Sequence, residues 1–168
     1  HMRFVSVKSV EQQDIQAIHR VREELKAHRN AKANQIRGLV AEYGLVAPKT
    51  LLALRRAIPE WLEDAENGLT DNFRSLLHGL WNDLLTLEDR LKGLDKEIGK
   101  LARSFEVTRR LQQLRGVGPL VATALVATVG DGRQYAKGRQ MASALGLTPR
   151  QNSSGDKFRL FGISKRGD

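Results

Sequence analysis

Three serine hydroxyls lie among five cations near the C-terminal end of the sequence. The hydroxyls belong to Ser153, Ser154 and Ser164, and the cations to Arg150, Lys157, Arg159, Lys165 and Arg166. A serine can attack a phosphodiester when its proton is removed and when cations meet the negative charge that develops on the phosphate. No general base is evident nearby, and Asn-Ser-Ser-Gly is also typical of an ordinary polar turn. A phosphoryl-transfer site and a plain turn are therefore both open interpretations.

A second candidate site is the glycine-rich stretch Leu114-Arg-Gly-Val-Gly-Pro-Leu-Val-Ala-Thr-Ala-Leu125. Gly116 and Gly118 permit a tight turn, and Pro119 suits the first position of the helix that follows. The pattern predicts a helix-hairpin-helix turn, in which bare amides at a helix N-terminus, beside Arg115, bind nucleic-acid phosphate without reading a base. The alternative is a simple connection between two helices.

The distribution of charge favours a polyanionic partner for this part of the chain. Residues 102–168 hold twelve Lys and Arg against four Asp and Glu, giving +8 of the overall +9. Residues 48–101 hold eight against ten, giving −2. A basic excess confined to the segment with the predicted turn is the electrostatic footprint of a nucleic-acid binder.

Composition excludes several other kinds of site. The sequence has no Cys, so disulfides and thiolate metal sites are ruled out. Its four His show no ligand spacing with nearby carboxylates, and we expect no metal site. No apolar run approaches the roughly 20 residues of a membrane span, so we expect a soluble protein. The absence of Cys is compatible with a reducing cytoplasm, and we expect a cytoplasmic protein that is associated with the nucleoid when it binds DNA. His1-Met2 resembles a cloning remnant, and a basic segment is interrupted at the last residue, so we expect a chain excised from a longer protein.

The predicted fold is mainly α, with long helices that form a coiled coil followed by a small domain containing the helix-hairpin-helix turn. A capping box at Ser9 and Gln12 starts a helix that continues to about Tyr43. Pro48 starts a short helix that Pro59 ends or bends, and Pro59 opens another that reaches Glu66. Trp61 and Trp81 are expected to pack in the core.

A second long helix, from Asp71 to about Ser104, carries apolar residues at intervals that alternate between three and four. They are Leu77, Leu80, Leu84, Leu87, Leu91, Leu94, Ile98, Leu101 and Phe105. This heptad seam predicts a coiled coil, formed either with the first helix or with a second chain, and we expect it to mediate a homodimer or higher homo-oligomer. The sequence thus divides into a helical dimerisation region, 1–105, and a C-terminal domain, 106–168.

The first helix carries a basic cluster in its middle. Its members are Arg20, Arg22, Lys26, His28, Arg29 and Lys32. Arg22, Arg29 and Lys32 interrupt the apolar face, so we expect little tight burial there. The cluster is interpreted either as a solvated face, the commoner case, or as a surface for a nucleic-acid backbone.

The C-terminal domain is predicted to begin with the two arms of the hairpin, Glu106–Leu114 and Pro119–Val129. A further helix follows around Gly138–Leu145. The sequence from Arg150 to Asp156 is turn chemistry, and Lys157–Ile163 is either a short strand or a loop.

Several blocks of the sequence together resemble the bridge-RNA-guided insertion-sequence transposases, the "one-ten" family. They are Arg3–Asp14, Asn34–Gly44, Leu114–Pro119, Ala144–Arg150, Ser153–Lys157 and Gly162–Asp168. The resemblance covers nearly the whole chain, and its last two blocks are specific in combination.

The resemblance implies a RuvC-like nuclease domain with metal-binding acidic residues, a coiled coil, and a transposase domain with a serine nucleophile. In this chain the family's Ser-Gly motif falls on Ser154, with Ser153 as its neighbour. Asp156 departs from the glycine that is common there. A divalent metal such as Mg is expected only in the missing nuclease domain. DNA and a guide RNA are the implied partners, and this chain alone is expected to be inactive.

Two other functions compete with a recombinase. One is a non-catalytic architectural DNA-binding protein, in which Ser154 only caps a turn. The other is a DNA-repair glycosylase with Asp131 as its catalytic carboxylate, against which the long heptad seam argues.

Overall fold

The computed structural model describes residues 7–152, 154, 157 and 159–163, which are mainly helical, as the sequence predicts. The elements of this part of the chain are α1 (Val10–Ala41), α2 (Leu51–Glu63), α3 (Asp71–Ser104), α4 (Glu106–Leu111), α5 (Pro119–Val129), α6 (Gly138–Ala144), β1 (Pro149–Gln151) and β2 (Leu160–Ile163). None of these helices has the length and apolar character needed to cross a bilayer.

The chain forms two compact units. One is continuous and comprises Ile18–Gly99, and the other combines the chain up to Ala17 with the chain from Lys100 onward. This division follows packing alone. The sequence-based division at residue 105, which follows function, stays a prediction.

In the Ile18–Gly99 unit, α1, α2 and α3 share one apolar core. Its buried members are Ala33, Ile36, Val40, Leu54, Ile58, Leu69, Phe73, Leu77, Leu80 and Leu84. Trp61 and Trp81 pack against this core, which confirms their predicted role. Burial of about 1.5–3 kcal/mol per large apolar side chain is what holds three otherwise marginal helices together.

Two ion pairs show that α1 and α3 run antiparallel in this unit. Arg22 Nε lies 2.6 Å from Asp95 Oδ1, and Lys32 Nζ lies 3.0 Å from Asp83 Oδ2, so residue numbers rise on one helix as they fall on the other. Leu25, between the two cations, is 5% exposed. The expectation of weak burial in the middle of α1 is therefore wrong at Leu25, because α3 supplies carboxylates to two of the three interrupting cations, Arg22 and Lys32.

The heptad seam of α3 is largely covered within the chain. Leu77 and Leu84 are fully buried, and Leu91 and Ile98 are nearly so, whereas Leu87 and Leu94 are half-buried. Pairing with the first helix was one of the two arrangements left open by the sequence. Coiled-coil packing in detail and pairing with a second chain stay predictions.

The prediction that Pro59 separates two helices is wrong, because Pro59 lies inside α2. A proline in a helix removes one backbone hydrogen bond and strains the preceding turn. Here Leu54 and Ile58 on one side of it, and Trp61 and Leu62 on the other, pack on the same core, and this burial outweighs the local cost. Thr50 caps the helix by accepting from Ala53 N at 3.2 Å.

In the other unit, hydrogen bonds fix the start of α1 and the corner between α3 and α4. Gln12 Oε1 accepts from Ser9 N at 2.9 Å, as the predicted capping box requires, while Gln12 Nε2 donates to Val126 O of α5 at 2.9 Å. At the corner, the buried Thr108 Oγ1 lies 2.7 Å from both Ala102 O and Phe105 O. Polar groups that helix ends leave open are thus satisfied internally.

The interpretation of residues 150 and 151 as turn chemistry is wrong, because Pro149–Gln151 forms β1 and pairs antiparallel with β2. Leu160–Ile163 is a strand, one of the two alternatives for that segment. A three-residue strand that opens with proline carries no alternating pattern, and proline is tolerated at the start of an edge strand. Only its pairing with β2 shows that this segment is a strand.

Candidate functional site

In the connection between α4 and α5, Gly116, Gly118 and Pro119 have the conformations expected from their residue types, while the helix-hairpin-helix motif itself stays a prediction. Gly116 adopts a φ of +89°, a left-handed conformation that favours glycine. Gly118 is the extended N-cap of α5 and Pro119 is the first residue of the helix. The first arm ends at Leu111 rather than at the expected Leu114, because hydrogen bonds of turn type, such as Leu114 N to Leu111 O at 3.0 Å, begin there.

No side chain caps α5, and its first intrahelical bond runs from Ala122 N to Gly118 O at 3.0 Å. The amides of the first helical turn before Ala122 therefore have no partner within the helix, and they carry the positive end of its dipole. Arg115, in the same connection, is exposed. The structure thus brings Arg115, Gly116 and Gly118 together at one helix start.

Two further exposed cations, Arg109 and Arg110, occupy the last turn of α4, directly before this connection. Sequence reasoning assigned them no role. The signal that could have found them is the Arg-Arg pair at the end of the first hairpin arm, five residues before Arg115.

The second group of predicted residues lies on the β1–β2 hairpin. Arg150, Ser154, Lys157 and Arg159 are all exposed. Ser154 forms an antiparallel bridge with Lys157, whose N–H donates to Ser154 O at 3.3 Å. Lys165 and Arg166 lie outside the described residues, as do Ser153 and Ser164.

Several contacts along the hairpin keep one register. Gln151 pairs with Leu160, Asn152 N donates to Arg159 O at 3.1 Å, and Ser154 pairs with Lys157. Toward the base of the hairpin the register shifts by one residue, because Pro149 pairs with Ile163. The three described pairs nearest Ser154 therefore share one antiparallel register.

Half of the basic cluster of α1 is engaged in ion pairs. Arg22 pairs with Asp95, Lys32 with Asp83, and Lys26 with Glu23 at 3.1 Å. Three of the six cations are thus neutralised by carboxylates, and two of these pairs join α1 to α3. This arrangement favours the structural interpretation of the cluster over nucleic-acid binding.

A shallow groove of about 680 Å³ runs between α1 and α3 beside the Lys32–Asp83 pair. Its lining residues are His28, Ala31, Lys32, Gln35, Asp83, Thr86 and Leu87. Leu87, a half-buried member of the heptad seam, is the large apolar side chain in this lining.

Asp131 is an exposed carboxylate that already has a local role. Its Oδ1 accepts from Arg133 N at 3.1 Å and its Oδ2 pairs with Arg133 Nε at 3.4 Å, as in an Asx turn. It borders a cavity of about 640 Å³ whose apolar lining includes Ile15, Phe105 and Val129. Among the described residues, no three His, Asp or Glu side chains are grouped so that they could hold a metal ion.

The sequence of this chain is similar to that of known proteins. Residues 108–168, which contain α5, α6 and the hairpin, match the model of the "Transposase IS116/IS110/IS902 family". The chain is 44% identical over 168 residues to a "Probable family 20 transposase" of Pseudomonas aeruginosa, covering 99% of this chain and 50% of that protein.

Two further relatives also match almost all of the chain. The "Transposase for insertion sequence element IS1111A" of Coxiella burnetii is 40% identical over 167 residues, or 99% of this chain and 46% of its own length. The "Transposase for insertion sequence element IS1328" of Yersinia enterocolitica is 32% identical over 169 residues, or 99% and 49%. The chain thus spans about half the length of these curated relatives. Residues 108–168 therefore carry the sequence features of the IS116/IS110/IS902 transposase family, within a chain that is similar over nearly its whole length to proteins named transposases.

Proposed function

We propose that this chain is the helical and DNA-contacting part of an insertion-sequence transposase that acts as a site-specific recombinase, with Ser154 as its nucleophile. The observation that carries the proposal is the match of residues 108–168 to the transposase family, in a segment where Ser154 is exposed and paired with a lysine. The substrate is a DNA phosphodiester. The guide RNA implied by the family resemblance is proposed as a further partner.

The α4–α5 connection is proposed to hold the DNA backbone. Helix N-termini bind phosphate through free amides and the helix dipole, and the nearby guanidinium of Arg115 adds charge. The exposed Arg109 and Arg110 extend the basic surface along α4. None of these groups is arranged to read base edges, so this contact fixes position rather than sequence.

Ser154 is proposed to form a covalent bond to DNA phosphorus. Ser154 is exposed and is the bridge partner of Lys157, and Arg159 follows two residues later, directly before β2. The divalent metal of the family belongs to its nuclease domain. The described residues of this chain do not fit such a metal, and no step of the proposed reaction passes through one.

The test of this function uses the full-length protein that contains this chain. Ser154→Ala removes one exposed hydroxyl and no charge, so it is expected to abolish strand exchange while DNA binding stays near normal. A covalent protein–DNA adduct, trapped and mapped by peptide mass, should lie on Ser154. An adduct on Ser153 or Ser164 would move the role, and recombination by Ser154→Ala at the normal rate would end the assignment of Ser154 as the nucleophile.

Self-association is proposed to occur along the α1–α3 pair. Leu87 and Leu94 are half-buried members of the seam, and the groove at Leu87 is open to a further helix. Leu87→Glu together with Leu94→Glu should convert an oligomer to monomer with its helical content unchanged, as measured by sedimentation and circular dichroism. An unmodified chain that sediments as a monomer at high concentration would contradict this part of the proposal.

A further inference from the structure

The register of the β1–β2 hairpin places specific cations beside Ser154. Ser154 and Lys157 are bridge partners, and Asn152 is hydrogen-bonded across the hairpin to Arg159. The two pairs follow each other at an interval of two residues on each strand. Only two residues separate Ser154 from Lys157 in sequence.

Side chains along a strand alternate between the two faces, so residues two apart share a face, and directly paired residues face the same way. Asn152, Ser154, Lys157 and Arg159 therefore share one face of the hairpin. Gln151 and Leu160, which also pair, belong to the opposite face. The hydroxyl thus lies on a polar, doubly cationic face, and Leu160 contributes its apolar side chain to the other.

The cations of the hairpin lie at different distances from Ser154. Cβ atoms of directly paired residues lie about 5 Å apart, and those of the next pair lie further along the strand. The long flexible stem of Lys157 can carry its ammonium over the hydroxyl of its own bridge partner. Arg159 is one pair further away, and Arg150 is on β1, toward the base of the hairpin, where the register shifts.

We propose that Lys157 is a catalytic residue that binds a non-bridging oxygen of the phosphodiester attacked by Ser154. This inference rests on the proposed function, in which Ser154 is the nucleophile, and adds which cation acts in the reaction. Negative charge accumulates on the non-bridging oxygens as the Ser154 Oγ–P bond forms, and a cation already in place lowers the energy of that transition state.

The reaction is a transesterification and needs no oxidant or reductant. The Oγ–P bond forms as the bond from phosphorus to one deoxyribose oxygen breaks. The serine proton passes to water, and the leaving oxygen receives a proton from water, so the number of protons is unchanged. The Lys157 ammonium keeps its protons throughout and supplies charge only.

The test follows the rate of covalent adduct formation by the full-length protein on a DNA duplex that carries the ends of its own insertion sequence. A second duplex has a methylphosphonate at the scissile position, where a methyl group replaces one non-bridging oxygen and removes the charge. On the phosphate duplex, Lys157→Ala should slow the adduct by about 10²-fold or more, the usual effect of losing one oxyanion contact. On the methylphosphonate duplex the same variant should react at nearly the wild-type rate.

Two further variants complete the comparison. Lys157→Arg keeps the charge and should retain more activity than Lys157→Ala on the phosphate duplex. Lys92→Ala removes an exposed lysine of α3 whose partner is Asp89, and should behave as wild type on both duplexes.

The outcomes separate this inference from the function on which it rests. Adduct formation by Ser154→Ala at the normal rate would remove Ser154 as the nucleophile, which is the part of the proposed function on which this inference rests. If Ser154→Ala is inactive but Lys157→Ala reacts normally on phosphate, only the role of Lys157 fails. An equal loss on both duplexes also overturns it, because a residue that only binds DNA or supports the hairpin is needed whatever the charge at the scissile position.

Discussion

Arg22 Nε donates a hydrogen bond of 2.6 Å to Asp95 Oδ1, which joins α1 to α3 across 73 residues of sequence. The side chain of Arg22 is 16% exposed, whereas that of Asp95 is 52% exposed. The pair therefore sets the alignment of the two helices, but about half of the Asp95 side chain remains in contact with water. The buried apolar side chains supply most of the stability.

This difference predicts unequal effects on unfolding. Asp95→Asn should lower the free energy of unfolding by about 1 kcal/mol or less, because solvent screens the pair. Leu84→Ala should lower it by about 2–5 kcal/mol, because Leu84 is fully buried in the three-helix core. Urea denaturation followed by circular dichroism measures both, and equal losses would show that the ion pair matters more than its exposure indicates.

Gly130 is predicted to tolerate substitution less well than Gly116. Its φ is +65°, and a Cβ added there would lie 2.8 Å from Gln12 Nε2, the atom that donates to Val126 O. Gly130→Ala therefore combines backbone strain with displacement of Gln12, and should cost about 2–3 kcal/mol.

Gly116→Ala is the matched control, because Gly116 also has a positive φ but no atom within 4 Å of the added Cβ. It should cost only the backbone strain, about 1–2 kcal/mol. In a Gln12→Ala background the cost of Gly130→Ala should fall, while that of Gly116→Ala should stay the same. An unchanged cost of Gly130→Ala there would show that Gln12 is not what limits the space.

His19 is predicted to make stability depend on pH. Burial, and then the nearby Arg22 guanidinium, hold the pKa of His19 below 6.5, with Glu23 opposing them. Near pH 6.5, His19 therefore binds a proton more readily in the unfolded chain than in the folded chain. Because of His19, the free energy of unfolding should fall as the pH decreases from about 7.5 to 5.5. His19→Gln should flatten this dependence in urea titrations, and an unchanged slope would assign it to other groups.

Binding to duplex DNA should depend strongly on salt and weakly on sequence. Cations that neutralise phosphates release counterions, so the logarithm of the affinity falls linearly with the logarithm of salt concentration. Arg115→Ala should reduce that slope by about 0.9 for the one phosphate contact removed. Arg90→Ala, which removes an exposed cation of α3, serves as the control and should leave the slope unchanged. A wild-type slope near zero, measured by fluorescence anisotropy, would contradict a backbone contact.

The long helices could be predicted because their signals are local. Ser9 and Gln12 form the capping box from sequence neighbours, and the seam from Leu77 onward repeats along one helix. The role of Arg22 and Lys32 could not be predicted in this way, because Asp95 and Asp83 come from a distant part of the sequence. The helix through Pro59 and the strand Pro149–Gln151 were missed for a similar reason, since tertiary packing and strand pairing stabilise them against their local preferences.

The candidate site was found in part. Spacing and charge predicted Arg115, Gly116 and Lys157, and the resemblance to the transposase family predicted Ser154; their roles stay predictions. No sequence pattern specified the register that pairs Ser154 with Lys157. That register depends on which residues of β1 and β2 exchange hydrogen bonds. The shift near Pro149 shows that simple counting back from the loop would have failed at the base of the hairpin.

The bond from Gln12 Nε2 to Val126 O spans 114 residues, and it has a consequence for the order of folding. Its two ends belong to a unit made from both ends of the chain, with Ile18–Gly99 inserted between them. During synthesis the start of α1 emerges long before α5 exists, so this unit cannot be completed until the inserted helices have been made. Once α1 and α3 have paired through Arg22 and Asp95, residues 18 and 99 lie at the same end of the helix pair. The remaining loop to be closed is then far shorter, and its entropic cost is correspondingly smaller.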